Sequence, residues 1–115
     1  MEKMTIMKTQ FEFLLDVSKL ITKIQELGFT ATGGELFRTT EQQQIYMDTG
    51  RSKTMKSMHL LRLAIDLNIF KNDQMVGDVN VLKPIGDYWQ SLNPKNKWGG
   101  YFLNFIDSPH FQRDL

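Results

Sequence analysis

Residues 57–73 read SMHLLRLAIDLNIFKND, and the reading of this stretch decides the fold. Its centre, LLRLAIDLNIF over residues 60–70, is rich in β-branched and aromatic side chains. The triplet Lys71-Asn72-Asp73 bounds it, so it reads as a strand entering a hairpin, with residues 74–76 as the return strand. On its N-terminal side, residues 49–57 (TGRSKTMKS) are polar, basic and rich in Gly, Ser and Thr, the composition of a loop. Before that, Thr39 and Thr40 each precede a Gln by three residues (Gln42 and Gln43), which is capping-box spacing for a short helix running to about residue 47. Residues 29–37 read as a short extended segment. Its paired Gly33 and Gly34 point to a bulge or a close backbone approach.

The outer parts follow. Over residues 11–27, Phe11, Leu14, Val17, Leu20, Ile21, Ile24 and Leu27 recur every three or four positions with charges between them. This predicts an amphipathic helix capped by a left-handed Gly28, preceded by a tail over residues 1–10. Residues 81–92 read as a third helix with Pro84 in its first turn and an apolar face of Ile85, Tyr88, Trp89 and Leu92. NPKNKWGG reads as a loop, and YFLNFID, residues 101–107, as the last strand. Helices and strands mixed without βαβ regularity imply an α+β fold. The expectation is one small domain over residues 1–115, with three helices packed on a short, mostly antiparallel sheet.

Composition bounds the chemistry. The chain has no cysteine and two histidines, so thiolate metal clusters are excluded and a metal must take His, carboxylate or water. Fourteen Lys and Arg against 13 Asp and Glu leave no basic footprint for nucleic acid. No run approaches the roughly 18 apolar residues of a spanning helix, and Glu12 and Asp16 interrupt the only stretch resembling a signal peptide. His59 and Asp66 flank a short apolar run, and Asp107 and His110 lie near the end. Two imidazoles and a carboxylate match the ligand set of a catalytic zinc site, and a second carboxylate close by is placed to take a proton from water. The plainer reading is a structural histidine and a DSPH loop.

Three motifs tip the balance. SMHLLRLAIDL, residues 57–67, resembles the Ser-x-His-(x6)-Asp-Leu signature of the zinc peptidases that include D-Ala-D-Ala carboxypeptidases and dipeptidases and the L-alanyl-D-glutamate endopeptidases of phage endolysins. WGGYFLNFIDSPHFQ, residues 98–112, resembles the closing motif of that family, and GELFRTTEQQ, residues 34–43, the segment that supplies its active-site arginine. The resemblance implies one zinc ion on His59, Asp66 and His110, Asp107 as general base, and Arg38 as the group that steadies the anionic intermediate. It also implies Ser57 as a hydrogen-bonding neighbour of the site and Gln43 in the substrate cleft. Trp98 either shapes the cleft wall or packs a core edge, whereas Trp89, Tyr88 and Phe105 read as core. Arg51, Lys53 and Lys56 either meet carboxylates of a wall peptide or form a solvated loop.

One position departs from the family pattern. Many members carry Gly where this chain has Arg62. His59 and Asp66 stand seven positions apart and cannot share one face of a regular strand, so a bend between them is required; Arg62 either marks it or is an exposed surface charge.

The function implied by the resemblance is peptidoglycan stem-peptide hydrolysis, most like an L-alanyl-D-glutamate endopeptidase. A D-Ala-D-Ala carboxypeptidase or dipeptidase, or a non-catalytic wall-binding or phage structural module, stand as alternatives. A 2-His-1-carboxylate iron oxygenase shares the ligand set but not its His-x-Asp spacing. The remaining expectations are a monomer without a wall-binding domain, nucleic-acid partner or membrane insertion. It would be made in the host cytoplasm and reach the periplasmic wall after holin-type release.

Overall fold

The computed structural model describes residues 3–115. Its elements are α1 (Lys3–Glu26), β1 (Thr30–Gly33), α2 (Thr40–Asp48), β2 (Ala64–Lys71), β3 (Gln74–Met75), α3 (Val79–Leu92), β4 (Asn96–Trp98) and β5 (His110–Arg113). Two 3-10 turns, at Met58–Leu61 and Gly99–Tyr101, complete it. All strand pairs are antiparallel, in the order β1-β2-β5-β4, with β3 also on β2. The α+β expectation of three helices and a short antiparallel sheet holds.

α1 begins at Lys3, so described residues expected to form a tail are its first turns, while residues 1–2 lie outside the described part. The apolar periodicity of α1 divides between two faces. Phe13, Val17, Leu20 and Ile24 form the buried stripe, whereas Phe11, Leu14 and Ile21 are exposed, because a helix lying on one sheet can bury only one side. Gly28 ends the helix at φ +88°, as a left-handed cap.

Facing that stripe, α3 buries Leu82, Ile85 and Trp89. Trp89 meets Phe13 edge-on at 5.6 Å and Phe111 at 6.0 Å, and its indole N–H reaches the carbonyls of Lys97 and Gln112 at 3.1 Å each. Tyr88 is only partly buried against this core. α3 starts two residues earlier than expected, capped by Asp78, which places Pro84 in the helix interior rather than its first turn.

The hairpin at residues 71–73 forms as read, with Asn72 and Asp73 at φ +52° and +63°. Two expectations fail in the C-terminal third. Residues 96–98 of the expected loop are β4, and residues 101–107 are not a strand. That apolar segment pairs with no strand: Leu103 is 97% exposed, and Ile106 and Phe105 are exposed too. The final strand comes later and contains the second histidine. It is anchored by Arg113, which pairs with Asp16 of α1 and donates to Asn96 of β4 in a buried cluster.

Candidate metal centre and cleft

The cross-strand register brings the first two groups together. Asp66 in β2 lies directly opposite His110 in β5, which sets their side chains on one face as neighbours. His59 arrives from the 3-10 turn before β2. Arg62 closes that turn in the left-handed region, φ +56° and ψ +35°, so the chain reverses before entering the strand. The expected bend lies there, at a positive φ, the conformation that glycine adopts without cost. The Arg62 guanidinium lies 4.1 Å from the centre of the Phe37 ring.

His59 Nε2 and His110 Nδ1 each stand 3.3 Å from Asp66 Oδ1. The three donor atoms lie within 4.8 Å of one another. Both outer ring nitrogens are occupied. His59 Nδ1 faces the Leu36 carbonyl at 2.9 Å, and His110 Nε2 faces Gln112 Oε1 at 2.7 Å. Since a carbonyl and an amide oxygen only accept, the ring protons sit on those sides, and the bare lone pairs point inward.

His59 Nε2 and Asp66 Oδ1 are buried with no hydrogen-bond partner, because their 3.3 Å approaches lack hydrogen-bonding geometry. Such orphaned atoms are costly unless something binds them. A tetrahedral zinc with bonds of about 2.0–2.1 Å separates its ligand atoms by about 3.3–3.4 Å, the spacing of both imidazoles from Asp66. The cluster therefore fits a divalent ion.

Electrostatics agree. Burial would raise the Asp66 carboxyl, but the two imidazoles turned toward it, when protonated on the inward side, prevail and hold it well below the usual carboxylate range. Burial likewise opposes the charged form of His110, yet Asp66 and Gln112 lift it above its ordinary value. Asp107 differs. Burial, with the charge of Asp66, raises its carboxyl against the pull of His110, His59 and Arg38.

Asp107 Oδ2 lies 3.9 Å from His110 Nδ1, with its side chain 40% exposed toward the cleft. A tight turn holds it: Asp107 N–H donates to the Gly99 carbonyl at 3.0 Å, and His110 N–H donates to the Asp107 carbonyl at 3.0 Å. A Cβ on Gly99 would sit 2.1 Å from that Asp107 oxygen and 2.9 Å from His110 Cβ, so only glycine lets this turn close.

Arg38 is clamped. Glu35 takes two of its nitrogens, and its Nη1 donates to Gln43 at 2.8 Å and Ser57 at 3.4 Å. Ser57 also accepts from the His59 amide at 3.2 Å. Arg38, Ser57, His59, Asp107 and His110 line one cleft of about 420 Å³.

Gln43 and Trp98 are placed otherwise. Gln43 is fully buried behind the cleft, bracing Arg38 against Ser52 and Thr54. Trp98 is core, packed against Gly86 and Gly100, with its indole N–H on the Ser108 carbonyl at 2.9 Å. Phe105, expected in the core, instead borders the cleft. The sequence reading missed Gln112 and Glu35, the groups that orient His110 and Arg38. Gln112 stands two residues after His110, on the same face of β5, and that spacing was the available signal.

Three comparisons bear on this arrangement. The chain is 31% identical over 99 residues to the L-alanyl-D-glutamate peptidase of Listeria phage A118, covering 82% of this chain and 34% of the relative. It thus spans about a third of that relative's length. The crystal structure of the L-Ala D-Glu endopeptidase ChiX of Serratia marcescens superposes with a TM-score of 0.68 at 21% identity, over 86% of this chain and 78% of that one, a likeness of fold. Residues 50–113 match the peptidase family described as D-alanyl-D-alanine carboxypeptidase. The matched residues include His59, Asp66, Asp107 and His110 but not Arg38, whose place in the site rests on its contacts here. With more than half of its length matched and the four site residues inside the match, the chain belongs to the D-alanyl-D-alanine carboxypeptidase family of peptidases.

Proposed function

We propose that the chain is a zinc-dependent peptidoglycan peptidase that hydrolyses the stem peptide at L-alanyl-D-glutamate. The observation that carries this reading is the convergence of three inward-facing donor atoms, two of them buried without partners, beside a partly exposed carboxylate in one cleft. The names of the phage and Serratia relatives favour this bond. Zinc on His59, Asp66 and His110 would supply a Lewis acid that lowers the pKa of water toward neutrality.

The residues do the rest. Asp107, its carboxyl raised by burial, takes the proton of the attacking water and passes it to the leaving amine. Arg38, immobilised by Glu35, Gln43 and Ser57, holds its charge at the cleft wall for the developing oxyanion, where one donor contributes about 2.7–4 kcal/mol. The substrate puts the place of action at the cell wall.

The test is incubation of the purified protein with sacculi. New amino termini should appear, chelator should stop their release, and zinc should restore it. Asp107→Ala should abolish cleavage while zinc still binds. Folded, zinc-loaded protein that releases nothing would refute the proposal. The family's description favours D-Ala-D-Ala carboxypeptidase as a second reading. Mass spectrometry of the muropeptides separates the two: freed L-Ala carboxyl ends against loss of a terminal D-Ala.

A further inference from the structure

One wall of the cleft carries charge that the reaction above does not use. Arg51, Lys53 and Lys56 border the same 420 Å³ cleft as His59, Asp107 and His110. Arg51 also borders an adjoining hollow of about 300 Å³ together with Asp66 and Asp107. Among the described residues, none of these three cations has a carboxylate oxygen within 4.0 Å. Glu35, which borders the hollow too, is spent on Arg38 and on the Tyr46 hydroxyl, 3.1 Å away.

Arg51 is nevertheless mounted firmly. Its amide and that of Ser52 both donate to the Tyr46 carbonyl at the end of α2, at 2.8 and 3.0 Å, and Gln43 donates to Ser52 Oγ at 2.9 Å. Its guanidinium lies 4.7 Å from the centre of the Tyr46 ring, which carries Arg38 at 4.6 Å as well. A stacked guanidinium loses little freedom on binding and presents a planar fork suited to carboxylate. A charge oriented in this way, without an acid, beside a hydrolytic centre points to an anionic group on the substrate.

We infer that Arg51 is a specificity determinant that receives a free carboxylate of the peptide near the scissile bond, with Lys53 and Lys56 extending the attraction along that wall. The inference rests on the peptidase reading of this cleft. A glutamyl residue that gives its amine to the scissile bond keeps carboxyls outside that bond, and the peptide's C-terminus is the other source.

Three synthetic peptides containing L-alanyl-D-glutamate decide the matter: one with free carboxylates, one amidated on the glutamyl carboxyl, and one amidated at the C-terminus. With zinc-loaded wild type, one amidation should lower kcat/KM by about tenfold or more, mainly through KM, and the peptide affected names the carboxylate. Arg51→Met should cut the free and that amidated peptide at similar rates, and Arg51→Lys should keep part of the preference. Arg51 is exposed, so zinc affinity should be unchanged in both variants. A wild type that cuts all three peptides within about twofold, or an Arg51→Met variant that keeps the full preference, overturns the inference and leaves the peptidase reading standing. If zinc-loaded wild type cuts neither these peptides nor sacculi, the peptidase reading falls and the inference with it.

Discussion

Gln112→Ala should loosen the metal centre without touching a ligand. Gln112 Nε2 donates to Asp114 Oδ1 at 2.6 Å, and Asp114 can only accept. The amide must therefore turn its oxygen toward His110, 2.7 Å from Nε2, which puts the ring proton there and leaves Nδ1 bare. Truncation removes the acceptor from a buried ring N–H, a loss of about 1–3 kcal/mol. Removal of a ligand's outer hydrogen-bond partner typically weakens metal binding 10–100-fold, which is about 1.4–2.7 kcal/mol. Because Gln112 is partly exposed and water can replace some of its bonding, the lower half of the range is expected. Zinc affinity measured by competition with a chromophoric chelator should fall about tenfold to thirtyfold, and the metal-free protein should itself lose about 1 kcal/mol, because the ring N–H is unpaired there too. Asp114→Ala, which frees the amide to flip but leaves it in place, should weaken binding less. Affinity within about twofold of wild type for Gln112→Ala, or greater damage from Asp114→Ala, would refute the reasoning.

Three further outcomes follow from packing and charge. Asp16→Ala strands the buried Arg113 guanidinium, leaving it Asn96 and a distant Glu12 at 3.9 Å, and should cost about 3–5 kcal/mol in urea unfolding; a loss under about 1 kcal/mol would contradict it. Arg62→Gly exchanges a left-handed arginine and its contact with Phe37 for a residue at ease there, so stability should stay within about 1 kcal/mol, whereas Arg62→Val should lose about 1–3 kcal/mol. Tyr101 donates to Asp87, which pushes its hydroxyl up to about 12. The neutral phenol is favoured in the fold, so this contribution is complete below the ordinary value of 10.0 and is lost as pH rises through about 12. Absorbance titration should show a tyrosine titrating near 12 that moves back toward 10.0 in Asp87→Asn, while Tyr46, raised by burial and Glu35, is unaffected by that substitution.

How much of this was legible in the sequence varied with the source of each element's order. α1, α2, β2 and the hairpin carry local signals: 3.6-residue periodicity, a Thr cap, a β-branched run and a turn triplet. Each formed near its expected place. Residues 101–107 have strand-like composition but pair with no strand, and tertiary context left them as turn and loop. β4 and β5 are three and four residues long and owe their existence to pairing with each other and with β2. Their order is not local, so no local pattern announces them.

The site divides along the same line. The candidate ligand set was legible through the resemblance, since His59, Asp66 and His110 fall in its motifs, whereas composition alone left 13 Asp and Glu to choose from. The orientation of those ligands was not legible, since it depends on the Leu36 carbonyl, the Gln112 amide and Glu35, which are chemically ordinary groups until the fold aims them. Arg62 shows where the two kinds of information meet. The odd offset between His59 and Asp66 demanded a reversal, and the reversal settled on Arg62. An arginine tolerated at φ +56° implies compensation nearby, and Phe37, one residue before Arg38, supplies a ring at 4.1 Å. Relief of strain at position 62 thereby also braces the segment that carries Arg38. Arg62→Gly should for that reason leave the fold intact yet loosen the arginine clamp, seen as a lower kcat with unchanged zinc affinity. An unchanged kcat would separate the two.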